Sequence, residues 1–332
     1  MIKLILVFLA AFLLSGVGGA VFIPLLKKVK IGQPILKYVD KHAAKSGTPT
    51  MGGVIFILAA AISYFIFARG AIRLSLVALF ITLGFMIVGM TDDYIKIKTH
   101  NNAGLTAVQK ASFQLVVAAI SAIAVYKSGG GLVYLPYSLK IVDIKKFAII
   151  LNIFVFVATT NAVNLTDGLD GLCANVSVFA FLGLGAVIAA QLHFNKNAYV
   201  NLIEYYNLIL LSVSIVGALA GYLIFNTQKA CVFMGDSGSL ALGGGLSAVA
   251  VFSLNTLNIP FIGIIFVLTA VSVIIQVLHY KRTKKRVFLM APFHHHLELK
   301  GLSEAKIAYI YSIITVISSL FLLLAVLIAA WR

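Results

Sequence analysis

Acidic residues are scarce in this chain: ten Asp and Glu among 332 residues, against 26 Lys and Arg. Cysteine occurs twice, Trp once and Pro six times. The two cysteines, Cys173 and Cys231, are far apart and neither has a CxxC partner, so a disulfide framework or a structural zinc site has no support. Charged residues of all kinds make up 11% of the chain, where a soluble domain carries about 25%. So little charge excludes an ordinary soluble enzyme, and no low-complexity tract is apparent. Apolar residues fill the space instead, at 61% against about 45–50% in soluble domains.

That balance predicts an all-α polytopic integral membrane protein. A spanning helix needs about 20 mostly apolar residues, and ten segments qualify, at about 3–26, 52–68, 74–91, 107–126, 146–161, 172–191, 205–225, 238–254, 259–280 and 306–331. They use most of the chain, so residues 1–332 are expected to form a single transmembrane domain. The first run is longer than the core of a cleaved signal, about 7–15 residues, and Lys27, Lys28 and Lys30 follow it, which favours a retained helix. Between the fourth and fifth spans, residues 129–144 read as two short strands around a Pro-containing turn, a small external β-hairpin.

The lysines orient the array. Connections after the odd-numbered spans hold most of them, including the run Lys281, Arg282, Lys284, Lys285 and Arg286. By the positive-inside rule those loops are cytoplasmic and both termini lie outside. The net charge of +16 is then a topology signal and an attraction to anionic membrane lipids, with no nucleic acid implied.

Against this background the acids stand out. Eight of the ten fall on the inner face, and six of those sit in or beside four short motifs. An ionisable group costs roughly 2.5–3.5 kcal/mol at the centre of a membrane helix, so acids gathered at one face suggest a site for something charged, a metal ion with phosphates. Asp92-Asp93 closes the third span, and adjacent residues on a helix point about 100° apart, so the two are expected to do different jobs. Asn161, Asn164, Asp167 and Asp170 recur every three residues and would form a slanting polar stripe, interrupted by Gly168 and Gly171, which allow close approach of a ligand. Asp236, between Gly235 and Ser237-Gly238, precedes the eighth span. It is either a helix cap or a natural Mg²⁺ ligand at a glycine-flanked turn. Asn226 and Phe233 lie just upstream, offering an amide and a ring for a base. His294-His295-His296, with Glu298 close behind, lack HxxxH zinc spacing and suit phosphate or a sugar carboxylate better. Lys45 and Lys110 sit outside the dense basic runs, each near a motif.

Together these motifs resemble the polyprenyl-phosphate N-acetylhexosamine-1-phosphate transferase superfamily, and within it the phospho-N-acetylmuramoyl-pentapeptide transferases. Asp92-Asp93, the Asn161–Gly171 segment and Phe233-Met234-Gly235-Asp236-Ser237-Gly238-Ser239-Leu240 carry the superfamily likeness. Met290-Ala291-Pro292-Phe293-His294-His295-His296 separates this branch from relatives that transfer GlcNAc-1-phosphate. One departure is Gln228-Lys229, where the pattern would have a proline near position 229.

The resemblance implies a bacterial cytoplasmic (inner) membrane enzyme with its site at the cytoplasmic face. It would join UDP-N-acetylmuramoyl-pentapeptide to undecaprenyl phosphate and give lipid I and UMP, with Mg²⁺ as cofactor. Asp92, Asp93, Asp236 and His295 would be catalytic, with Asp236 on the metal. Lys45, Lys110, Asn161, Asn164, Asp167, Gly168, Asp170, Asn226, Phe233, His294 and His296 would bind substrate, Phe233 stacking on uracil. A homodimer is compatible with the resemblance, although no residue pattern marks an interface. A UDP-GlcNAc-using transferase is the nearest alternative, and a lipid flippase or transporter the alternative from another class.

Overall fold

The structure, a computed structural model, describes residues 1–28, 47–99, 104–194 and 201–331. It is a bundle of long helices: α1 (Ile2–Lys28), α2 (Gly53–Phe67), α3 (Arg73–Thr99), α4 (Ala107–Gly129), α5 (Phe147–Thr166), α6 (Leu172–Phe194), α7 (Leu202–Asn226), α8 (Gly235–Phe252), a one-turn α9 (Ile259–Ile262), α10 (Ile264–Thr283), a short α11 (Phe293–Leu299) and α12 (Glu304–Trp331). Eight of the described helices are long and apolar enough to cross a membrane, which fits a multi-pass membrane protein.

The two expected spans outside that eight are α2 and α8, and each has a physical reason. α2 has 15 residues, too few to cross a bilayer core of about 30 Å at a rise of about 1.5 Å per residue. α8 carries Asp236 and the triplet Gly243-Gly244-Gly245, which dilute its hydropathy, yet every residue from Ser237 to Phe252 is buried. A helix surrounded by protein has no need of a lipid-facing surface, and small residues let its neighbours approach closely. α3, α5 and α2 surround it.

The approach is closest at two glycines. A Cβ on Gly53 would collide with the backbone of Gly238, and one on Gly89 would collide with the carbonyl of Asp236. Neither obstacle is a flexible side chain, so Gly89→Ala must push α3 away from the start of α8. We expect it to destabilise the protein by about 1–3 kcal/mol, the usual range for overpacking, read as a lower melting temperature in detergent.

Three boundaries differ from the sequence reading. α3 does not stop at residue 91 but continues to Thr99, so Asp92 and Asp93 lie inside a helix. Their carboxylates are paired within the protein, which makes the extra turns tolerable. The expected ninth span at 259–280 is broken: α9 ends at Gly263 and α10 starts immediately after it, with Pro260 in the first turn of α9. The Asn161–Asp170 stripe is also divided. Asn161 and Asn164 are on α5, Asp167 is its C-cap, and Asp170 belongs to the turn before α6.

The expected hairpin is present. β1 (Leu132–Tyr134) pairs antiparallel with β2 (Ile141–Asp143), Val133 opposite Val142, and Pro136 falls in the turn. The amide of Tyr134 donates to the carbonyl of Leu254 at 2.7 Å, fixing the hairpin against the end of α8. Asp92, Asp93 and Asp236 therefore gather at the opposite end of the bundle from the hairpin, where α3 and α5 finish and α8 begins.

Candidate active site

The site is built where the start of α8 meets the last turns of α3. α8 has no side-chain cap of its own. Its first free amides are met by Asp93 from α3: the Asp93 carboxylate accepts from the backbone N–H of Asp236 at 3.1 Å and of Ser237 at 3.0 Å. Asp93 is fully buried. A carboxylate at a helix N-terminus also meets the positive end of the helix dipole. The sequence allowed Asp236 to cap α8, and the cap comes from a different helix.

Asp92 points another way, as the helical geometry required. Its Oδ1 accepts from the Leu105 amide at 2.8 Å, and its Oδ2 forms an ion pair with Lys96 at 2.6 Å. Lys96 also reaches Asp236 Oδ2 at 2.9 Å, and Lys110 from α4 reaches the same oxygen at 2.8 Å. The other oxygen, Oδ1, accepts from the Asn164 amide at 2.6 Å. Asp236 is thus the hub of the cluster, with two lysines on one oxygen and an amide on the other. Lys96 is the residue that sequence reasoning missed. Its place in a basic loop made it look like a topology signal, and only its i,i+4 spacing from Asp92 could have flagged it.

Asp92, Asp93 and Asp236 each offer an oxygen within 4.8 Å of the others, a group that could hold a metal ion. The donor set is all carboxylate, which suits a hard divalent cation such as Mg²⁺, held by one or two carboxylates with phosphate and water completing the shell. Asp93 is committed to two backbone amides of α8, whereas the groups on Asp236 are side chains, Lys96, Lys110 and Asn164, that an ion could displace. The lysines on Asp236 mark a place where positive charge is already stabilised.

Beside this centre the turn after α5 meets α11. Gly168 is exposed and lies against two imidazoles: a Cβ there would collide with His294 Nε2 and come within 3.1 Å of His295 Nε2. His295 Nδ1 is 3.0 Å from Glu298 Oε2, which orients its ring. His294 is fully buried, and among the described residues neither of its ring nitrogens has a hydrogen-bond partner. His296 turns away: its Nδ1 accepts from the Leu289 amide at 3.1 Å, and its ring stacks on Phe293. Of the three histidines, then, two face Gly168 and the third holds the loop before α11. Asp167, just beyond α5, has its pKa pushed up to about 8, chiefly by burial and then by Asp236, Asp93 and Asp170.

Burial, and next the neighbouring His295, push the pKa of His294 down from 6.5 to about 3. The native state therefore excludes a proton that the unfolded chain binds between those values. Stability must fall as pH drops below 6.5, by up to about 1.4 kcal/mol per unit at this one group. Melting temperatures measured from pH 7.5 to 5 should show a shallower slope in His294→Gln than in the parent protein.

Four of the remaining expected residues lie around this centre. Asn161 exchanges hydrogen bonds with Gln114 on α4 and does not touch Asp236. Asp170 Oδ2 accepts from the Ala230 amide at 3.1 Å, and the Asp170 amide donates to Glu304 at 2.9 Å. The Asn226 amide donates to the Val232 carbonyl at 2.8 Å, so Asn226 and Asp170 both shape the loop that delivers Phe233. Phe233 is half-buried, and its amide donates to the Pro49 carbonyl at 2.7 Å. Lys45 lies outside the described residues.

Comparison with known proteins gives a consistent result. A family model described as glycosyl transferase family 4 matches residues 74–254. A second, described as phospho-N-acetylmuramoyl-pentapeptide-transferase signature 1, matches residues 45–57. A protein of Helicobacter hepaticus is 40% identical over 331 residues, spanning 96% of this chain and 92% of the relative. One from Clostridium kluyveri is 42% identical over 323 residues, spanning 96% and 97%. One from Clostridium perfringens is 40% identical over 316 residues, spanning 95% and 96%. All three bear the name phospho-N-acetylmuramoyl-pentapeptide-transferase.

Proposed function

The chain belongs to the phospho-N-acetylmuramoyl-pentapeptide-transferase family, and from that membership we propose that it makes lipid I in the bacterial cytoplasmic membrane. The reaction transfers phospho-N-acetylmuramoyl-pentapeptide from its UDP-activated form to undecaprenyl phosphate and releases UMP. The observation that carries this reading at the level of residues is the convergence of Lys96, Lys110 and Asn164 on Asp236, beside Asp92.

Two anionic substrates must meet, one soluble and one anchored in lipid. A site at the cytoplasmic end of the bundle meets both. Phosphoryl transfer of this kind needs alignment and charge neutralisation more than covalent chemistry from the protein. Asp236, beside Asp92, would hold Mg²⁺. When bound, the ion supplies positive charge that polarises the pyrophosphate and stabilises the departing UMP. Lys96 and Lys110 neutralise Asp236 in this structure and are near enough to turn to the substrate phosphates once that carboxylate is otherwise engaged. Asp92 takes the last proton from the lipid phosphate or orients it, and the phosphate oxygen attacks phosphorus directly. Asp93 keeps the start of α8, and hence Asp236, in place. Asp167, Gly168, Asp170, Asn226 and Phe233 form the uridine side, with Phe233 stacking on the base. His294 and His295 sit against Gly168, and Lys45, outside the described residues, is a further candidate for the uridine side.

Substrate choice tests the reading. Purified protein offered UDP-N-acetylmuramoyl-pentapeptide or UDP-GlcNAc, each with undecaprenyl phosphate, should release UMP from the first alone. Release from UDP-GlcNAc alone would reassign the donor. Exchange of labelled UMP into the nucleotide sugar without lipid phosphate would replace direct attack with a covalent phospho-sugar intermediate.

A further inference from the structure

At the hairpin end of the bundle, opposite the acid cluster, lies a cavity of about 390 Å³. The starts of α3, α5 and α7, the ends of α4 and α8, and β1 enclose it. Its volume falls in the range of about 300–1,000 Å³ typical of sites for small ligands. Its wall mixes apolar residues, Leu74, Val251 and Phe252 among them, with polar ones, and four of the polar side chains have unmet bonding capacity.

Two of them are almost fully buried. Tyr205 is 3% exposed and its hydroxyl has no hydrogen-bond partner among the described residues; Asn152 is 2% exposed and uses only its oxygen, which accepts from Thr256 at 3.3 Å. Both residues line the cavity, so a polar group bound there would supply the hydrogen-bond partner that the protein does not. The other two are charged and of opposite sign. Arg73 and Glu204 both line the cavity, yet among the described residues neither side chain makes a hydrogen bond or ion pair, with the other or with anything else. Arg73 is exposed, so the cavity is reached from outside the bundle on that side.

We propose that this cavity binds the zwitterionic headgroup of an amine-bearing phospholipid, with Arg73 on the phosphate and Glu204 on the ammonium. A guanidinium fork matches the geometry of phosphate oxygens, and a carboxylate matches a primary ammonium. The Tyr205 hydroxyl and the Asn152 amide supply further donors to the phosphate. Depth in the membrane fixes the source: the cavity is walled by the ends of spanning helices, the level at which lipid headgroups lie. It is remote from Asp236, so occupancy stabilises the fold without entering the reaction.

The test uses the whole purified protein in detergent, titrated with phosphatidylethanolamine, with phosphatidylglycerol, or with free phosphoethanolamine, and reads the melting temperature. Phosphatidylethanolamine should raise it at a lipid-to-protein ratio about tenfold lower than phosphatidylglycerol does. Glu204→Gln should remove that preference, and Arg73→Gln should weaken the response to both lipids. Tyr205→Phe keeps the ring and its packing, and should raise the ratio needed while leaving the lipid-free melting temperature unchanged. Equal responses to the two lipids, or a preference that survives Glu204→Gln, would overturn the proposal. Free phosphoethanolamine acting as strongly as the lipid would overturn the assignment to a membrane source.

Discussion

Asp236→Asn should reduce UMP release at least about a thousandfold while the protein melts within a few degrees of the parent. The substitution keeps the shape and removes the charge on which Lys96 and Lys110 converge at 2.9 and 2.8 Å. Charge stabilisation at a developing leaving group is worth several kcal/mol, and each 1.36 kcal/mol is tenfold in rate. The stability side is less affected, because an amide oxygen still accepts from a lysine and Asn164 can turn its own amide to match. A large fall in melting temperature with residual turnover would mean that the cluster is structural. Rate and melting measured on one preparation separate the two.

The neighbouring aspartates should part company in the same pair of measurements. Asp93→Ala leaves two amides at the start of α8 without their acceptor in a fully buried position. Losing a helix cap costs about 0.5–2 kcal/mol, and unsatisfied buried donors about 1–3 kcal/mol each, so a destabilisation of roughly 3 kcal/mol is expected. Turnover should fall with it, since Asp236 loses its anchor. Asp92→Asn, by contrast, keeps an oxygen for the Leu105 amide and weakens only the ion pair to Lys96. It should lose turnover by about a hundredfold or more with little change in melting. If both variants melted alike, the division of labour assigned to Asp92 and Asp93 would be wrong.

That division was half legible in the sequence. Adjacency on a helix required different directions for Asp92 and Asp93, but nothing local said which would serve α8. The cap joins residues 93 and 236, a tertiary contact that no spacing rule reaches. Lys96 was obscured for a related reason: in a membrane protein basic residues beside a span carry topology information, so one with a second task does not stand out. The apolar spans and the hairpin at 132–143 were readable because each is a local pattern of hydropathy or turn residues. Even the break at Gly263 had its signal in Pro260 and Gly263, which the apolar run around them concealed. α8 was found by its length, and its complete burial follows only from the neighbours that surround it.

The histidine run shows the same limit. Three adjacent imidazoles cannot share a direction on a helix, and the structure places His294 and His295 against Gly168 while His296 braces the loop before α11. Which two would face the turn depended on where α11 starts, and Phe293 sets that.

Asp92 and Asp236, with Lys96 and Lys110, are proposed to form a metal-dependent phosphoryl-transfer centre. The most direct measurement is UMP release by detergent-purified protein supplied with undecaprenyl phosphate and UDP-N-acetylmuramoyl-pentapeptide, with Mg²⁺ and again with EDTA. Release that EDTA abolishes and added Mg²⁺ restores is expected. Release at the same rate in EDTA, or none from well-folded protein with both substrates and Mg²⁺ present, would contradict it.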